Sequence, residues 1–299
     1  MSHHRIVLRS YAKLNLGLHV LGKRDDGYHE IRTLFQSIAF HDLLEIEKTR
    51  SGGIRFQSNC SELNPQDNLV VRAAELVCRR RKVAPRFCFR LTKRLPLGGG
   101  LGGGSSNAAA TIWGLDQLLG SRFSYEELLE VGGSLGSDIG FFFLGGTALG
   151  LGRGSEVYPL PDFPSRPVLL VQPPFPVHTP GAYQRPSLTL TKRWNDSKIP
   201  VFCSDCLAQL YEGKQIGNDF EQVVFEDFPA LRGVTKQMQN AGAWLAGLTG
   251  SGSVLFGIFE EIQDRNRARA EVKLKGARLI STRVLTRRRY LAGRVASFE

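Results

Sequence analysis

Six of the seven residues from Gly98 to Gly104 are glycine, within the stretch LPLGGGLGGGSSNAAA at positions 95–110. Glycine loses more conformational freedom on folding than any other residue. A cluster this dense is therefore expected only where backbone must turn through left-handed φ or lie close against a ligand. Ser105, Ser106 and Asn107 follow as N-cap types, and Ala108, Ala109 and Ala110 as strong helix formers. The pattern predicts a helix whose free N–H groups and positive end face the glycines, which is a cradle for a phosphate.

Two known phosphate loops fit the string poorly. The Walker A loop needs Gly-Lys-Ser/Thr at its end, whereas these glycines run into Ser105 and the nearest lysine, Lys93, precedes them. Gly98, Gly100 and Gly103 formally satisfy the dinucleotide spacing, and residues 86–92 read as a strand before them. The ribose-binding acid expected about 20 residues on is not found at a second strand's end, because Asp116 and Glu126 sit in helical patterns. A plain flexible linker would have no helix signal abutting it.

At 299 residues the chain has material for two domains or one large one, and it contains no apolar run long enough to span a bilayer. No signal-like segment opens it, and its five cysteines are odd in number and irregularly spaced. A reduced protein of the cytoplasm is the expectation. Cys203 and Cys206 alone resemble a metal motif, but the last histidine, His178, lies upstream of them. The net charge of +11 suits an anionic substrate, nucleic acid or a membrane surface alike. Its basic clusters, 79–82 and 287–289, lack the interleaved aromatics of single-strand binders and read first as solvated helix ends.

Along the chain, residues 14–20 alternate as a half-buried strand and lead into the polar turn GKRDDGYH at 22–29. Residues 31–38 and 43–46 read as two further strands, and Asp67 as the cap of a helix carrying Leu69, Val70, Ala73, Ala74 and Val77 on one face. Ser124 and Glu127 form a capping box. A second glycine-rich segment, 132–154, contains Asp138 just before Phe141, Phe142 and Phe143, which read as an apolar strand. From these residues alone Asp138 is equally a functional acid and a turn or capping residue. Prolines 159, 161, 164 and 167 mark a domain boundary. Beyond it strands and helices alternate, with a helical stretch from Thr179, as far as a third glycine segment, AGLTGSGS at 246–253, that suits either an anion site or a tight packing loop.

Three separated blocks resemble the motifs of one family, the GHMP kinases, in the family's order: Ala12 to Leu16, Pro96 to Ser106, and Leu248 to Ser253. Four stretches, GKRDDGYHEI, GGGLGGGSSNAA, GSDIGFF and NDFE at 218–221, resemble the branch acting on a cytidine diphosphate alcohol. The resemblance implies an α+β fold of two domains, 1–162 and 163–299. The first would resemble a ribosomal-protein domain, and the site would lie in the cleft between the two. It also implies transfer of the γ-phosphoryl group of ATP, with Mg²⁺, to a small-molecule alcohol. Asp138 takes the place of the catalytic acid and Lys13 that of the catalytic lysine. Pro96, Leu97, Gly98, Gly99, Gly100, Leu101, Gly102, Gly103, Gly104, Ser105 and Ser106 would wrap the ATP phosphates, with Ser106 a candidate metal contact.

Asn15, Tyr28, His29, Thr179 and Tyr183 would bind the alcohol, the two tyrosines stacking on the base and His29 reading its edge. The chain departs from the family pattern in having Ser137-Asp138-Ile139-Gly140 for Ala-Asp-Val-Pro, and Phe220 for Leu. A monomer or weak homodimer is expected, with neither nucleic acid nor membrane as partner. The alternatives are a non-catalytic RNA binder on the same fold and a mevalonate or homoserine kinase. The DGYH stretch argues against both.

Overall fold

The computed structural model describes residues 4–175 and 199–299. A long antiparallel hairpin, β1 (Arg5–Lys23) and β2 (His29–Lys48), frames the first half of the chain. The pairing shifts register at three places, between Tyr11 and Ala12, Asn15 and Gly17, and Val20 and Gly22. Each shift re-aims the strand, as bulges do. Its two halves can thus serve different neighbours. Residues 43–48 of β2 pair with β4 (Arg86–Thr92), while residues 33–36 pair with β5 (Thr147–Leu151). β3 (Gly53–Ser58) adds parallel to β4, β6 (Glu156–Pro159) adds to β5, and the C-terminal β11 (Val295–Phe298) returns to pair with β1. A second sheet of four antiparallel strands has the order β10 (Arg278–Arg283), β7 (Pro167–Gln172), β9 (Leu255–Ile258), β8 (Leu245–Leu248).

Helices α1 (Leu69–Arg81), α2 (Gly103–Leu119), α3 (Tyr125–Gly133) and α4 (Ile139–Leu144) build a core with the first sheet around Leu8, Phe35, Ile46, Phe89 and Phe141. In the second half, α5 (Ile199–Tyr211), α6 (Phe220–Asp227), α7 (Pro229–Asn240) and α8 (Ile262–Glu271) accompany the four-stranded sheet, and α9 (Arg287–Gly293) precedes β11. Cys203 and Cys206 belong to α5, with Cys206 inside the apolar core and Cys203 packed against it. No described helix is long and apolar enough to cross a membrane.

Four local readings of the sequence are corrected. The stretch at 141–143 is helical, because all three phenylalanines are buried and a short apolar run carries no period to separate helix from strand. The two short strands are one continuous β2. Helix α1 is capped by Asn68, whose side chain accepts the Val70 N–H at 2.8 Å, while Asp67 ends a 3₁₀ turn. Helix α2 begins at Gly103 with Gly102 as its cap, one turn ahead of the serines. The helix signal from Thr179 lies outside the described residues.

One buried carboxylate joins these elements. Asp42 on β2 is 0% exposed and accepts from the N–H groups of Arg94 (2.7 Å) and Leu95 (2.8 Å), from Asn107 Nδ2 on α2 (3.0 Å) and from Lys93 Nζ. It fixes both the entry to the glycine loop and the helix after it. Asp42→Asn would leave the Lys93 ammonium, itself only 7% exposed, buried without its charge partner. Breaking such a pair costs about 3–5 kcal/mol. Urea unfolding is expected to show a loss in that range, and a loss under about 1 kcal/mol would mean that Asp42 organises nothing.

Candidate active site

Seven of the positions singled out in the sequence line one cavity of about 560 Å³ between the two halves. Lys13 and Asn15 from β1, Tyr28 and His29 from the hairpin turn, Gly100 and Gly102 from the loop, and Asp138 from the cap of α4 all line it. The third glycine segment closes it with Gly250 and Ser251.

Lys13 and Asp138 are the charged pair of the site. Nζ of Lys13 lies 3.5 Å from Asp138 Oδ2, with the lysine side chain 5% exposed and the aspartate 29%. Lys13 also donates to Asn15 Oδ1 and lies 5.6 Å from the Phe35 ring centroid. Burial pulls the Lys13 ammonium below its ordinary range, and the Asp138 charge pulls the other way. Asp138 makes no capping bond to α4, so its carboxylate is not spent on the helix end.

The glycine loop is held from two sides. Leu101 O accepts the Lys13 N–H at 3.0 Å, and Thr249 Oγ1 accepts the Asn15 N–H at 3.0 Å while donating to Gly100 O at 3.3 Å. Gly100 has φ +76°, and a Cβ there would stand 2.1 Å from the Thr249 carbonyl oxygen. Backbone packs on backbone, which explains why glycine is required. The first α-helical bond runs from Ser106 N–H to Gly102 O at 2.8 Å, so the N–H groups before it have no partner within α2.

The remaining loop residues divide. Pro96 and Leu97 line an adjoining cavity of about 600 Å³ together with Asn59, Lys93 and Gln172. Gly98 has φ +64°, Gly99 is tight against Pro96 and Val254, Leu101 is core, and Gly103, Gly104 and Ser105 form the first turn of α2. Ser106 is 2% exposed and its hydroxyl donates to Tyr11 O at 2.7 Å. Thr179 and Tyr183 lie outside the described residues.

Lys23 and Arg153 also line the cavity but were not singled out in the sequence. The Arg153 guanidinium stands 4.6 Å over the Tyr28 ring, and Tyr28 is 54% exposed. The available signal was Gly152-Arg153-Gly154, a cation between two glycines inside a glycine-rich segment. Burial, and then the Lys23 charge, lower the His29 pKa.

Family models describe both halves. The GHMP kinases N terminal domain matches residues 68–146, and the GHMP kinases C terminal domain matches residues 204–278. A 4-diphosphocytidyl-2-C-methyl-D-erythritol kinase of Solibacter usitatus (strain Ellin6076) is 45% identical over 275 residues, which cover 90% of this chain and 85% of that protein. One from Pelotomaculum thermopropionicum is 36% identical over 280 residues, covering 93% and 97%. A crystal structure of 4-(cytidine 5'-diphospho)-2C-methyl-D-erythritol kinase is similar at a TM-score of 0.76 and 33% identity, over 93% of this chain and 98% of that one.

The stretch 218–221 clamps the third segment to β1. Asn218 Nδ2 donates to the carbonyls of Leu248 (2.9 Å) and Gly250 (2.8 Å), Asp219 accepts the Val20 N–H (2.8 Å), and Glu221 Oε1 accepts the Leu248 N–H (2.8 Å). Burial raises the Glu221 carboxyl from its ordinary 4.5 to about 7, with the Leu248 bond opposing. The folded state therefore binds this proton more tightly than the unfolded chain does. Its stabilising effect is complete below pH 4.5 and is lost as pH rises through about 7, on the order of 3 kcal/mol in all. Urea midpoints from pH 4.5 to 7.5 are expected to fall for the wild type relative to Glu221→Gln. Parallel curves for the two proteins would show that this carboxyl is not held neutral.

Proposed function

The chain belongs to the GHMP kinase family, and from that membership we propose that it transfers the γ-phosphoryl group of ATP to the 2-hydroxyl of 4-diphosphocytidyl-2-C-methyl-D-erythritol, in the non-mevalonate route to isoprenoid precursors. The observation that carries the reaction type is the Lys13–Asp138 pair in a cavity shared with the glycine loop. We place the enzyme in the cytoplasm, where its odd number of cysteines would stay reduced.

In this reading the phosphates of ATP lie against Pro96–Ser106, whose unpaired N–H groups and helix end favour anions. The ATP nucleoside extends toward the adjoining cavity beside Pro96 and Leu97. The acceptor enters from the hairpin turn. Tyr28 offers an exposed face to the base, His29 offers ring nitrogens to its edge, and Lys23 and Arg153 offer cations to the diphosphate. Thr179 and Tyr183 complete that end in the same proposal.

Asp138 takes the proton of the 2-hydroxyl as its oxygen forms the new O–P bond. The bond from the γ-phosphorus to the bridging oxygen breaks, and ADP departs with that oxygen's electron pair. Lys13 stands beside the Asp138 carboxylate and faces the negative charge that builds during transfer. Asn15 receives an Nζ hydrogen bond and so fixes the direction of the ammonium.

Mg²⁺ fits this donor set as an ion that arrives on the phosphates. Among the described residues no group of three or more His, Cys, Asp or Glu gathers to hold a metal, while Mg²⁺ commonly takes one or two protein oxygens plus substrate phosphates. A lone pair of Ser106 Oγ, whose hydrogen goes to Tyr11 O, is the protein oxygen proposed for it, and bound there it would neutralise phosphate charge.

Two experiments test the assignment. ATP turnover with the cytidine substrate should exceed that with mevalonate or homoserine by at least about 10²-fold in kcat/KM, because a site built to hydrogen-bond one substrate rejects others lacking the groups. Comparable rates would overturn the choice of substrate. Asp138→Asn should lower kcat by about 10²–10⁴-fold while calorimetry finds ADP affinity unchanged. Full activity in that variant would remove Asp138 from the chemistry.

A further inference from the structure

A separate cavity of about 690 Å³ lies where β2, the turn into β7, α8 and β10 meet, and it shares no lining residue with the active-site cavity. Five guanidiniums line it, those of Arg94, Arg166, Arg265, Arg283 and Arg289, against the two carboxylates of Glu260 and Glu261. Arg166 is paired, its Nη2 3.0 Å from Glu260, yet its buried Nη1 has no hydrogen-bond partner. Among the described residues, Arg94, Arg265, Arg283 and Arg289 form no ion pair with a carboxylate.

Burial, followed by the charges of Arg269 and Arg283, depresses the Arg265 pKa. Burial also lowers the pKa of His41 on the same wall, with Arg94 pushing in the same direction. Like charges gathered in a concavity oppose the fold unless an anion enters, and each guanidinium presents a planar fork of donors that matches phosphate.

The volume is that of a small-ligand pocket. Its rings offer no stacking platform, since Phe40 lies under the Arg278 guanidinium at 5.9 Å and His41 packs edge-on with Tyr11 at 5.2 Å. An RNA strand would therefore lack the aromatic faces on which unpaired bases stack.

We propose that this cavity at the seam binds a compact polyphosphate, a small molecule with two or more linked phosphate groups, held by Arg94, Arg265, Arg283 and Arg289. The site would span both sheets, because Arg94 follows β4 of the first and Arg283 ends β10 of the second. It also gives part of the basic surface an occupant. Of the cluster 287–289, Arg287 donates to the Thr147 carbonyl at 2.6 Å, whereas Arg289 lines the cavity, with Nη1 donating to Ser165 Oγ at 3.1 Å.

The test is calorimetry on the whole chain and needs no turnover, so its outcome is independent of the kinase assignment. With the active site saturated by Mg·ADP, inorganic tripolyphosphate is expected to bind at one further equivalent. If the ligand is instead a nucleoside polyphosphate, ADP itself will titrate to two equivalents. In either arm Arg283→Gln/Arg289→Gln should weaken the second binding event at least tenfold and leave the first unchanged. Lys82→Gln, a control on a different basic cluster, should stay within twofold. Thermal melts of the ligand-free variants check that they fold. Absence of any second event, equal weakening by Lys82→Gln, or displacement of tripolyphosphate by a lower concentration of single-stranded RNA would each overturn the proposal.

Discussion

The burial of Lys13 is the constraint around which the active-site half of the molecule is arranged. An ammonium with 5% of its side chain exposed is costly, and here one carboxylate at 3.5 Å and one amide oxygen are what offset it. The arrangement has the character of a site waiting for charge. In the proposed reaction a polyphosphate would add anions where the protein has placed few. The bulges of β1 on either side of Lys13 serve this purpose, since they let one strand present its lysine to the cleft and still pair with β2 along most of its length.

Keeping the lysine in position requires the two halves of the chain to hold one another. Thr249, 0% exposed, bonds to β1 and to the glycine loop at once, and Asn218 gathers two carbonyls of the segment that carries Thr249. Each bond is worth about 1 kcal/mol alone, but the groups are buried and would be expensive to leave unmade. The cleft is thus built from backbone contacts that tolerate no side chain at Gly100 and from polar side chains that have little freedom to move. The seam cavity shows the opposite balance. Of its five guanidiniums only that of Arg166 has a carboxylate partner among the described residues, and its walls come from strands and a helix whose order is fixed for other reasons.

Local chemistry in the sequence was enough to announce a phosphate loop, a capping box at Ser124, a helix face from Val70 to Val77, and an acid worth watching at Asp138. These features depend on near neighbours: glycine density, a four-residue cap, a period of 3.6. The capping box and the helix face survive in the structure because tertiary packing agrees with them. Where packing disagreed, the sequence misled. Phe141, Phe142 and Phe143 are buried together in a helix that local pattern could not separate from a strand, and Gly102 became the α2 cap even though the side chains suited to capping stood at Ser105 and Ser106. A backbone pinned at Leu101 and Asp42 decides where the helix starts, and side-chain preference yields to it.

By itself, then, the chain determined that a glycine-rich loop runs into a helix and, through the spacing of three glycine-rich blocks, which family it resembles. Only the tertiary structure brought Lys13, 125 positions earlier, within 3.5 Å of Asp138, a pairing that no local pattern in the sequence specifies. Only the fold brought Lys23 and Arg153 to the cavity and drew Arg94, Arg265, Arg283 and Arg289 into another. A net charge of +11 records how many cations the chain carries. Coulomb interactions depend on where those cations come to rest and on which carboxylates lie beside them, and those distances arise only when the sheets close on each other.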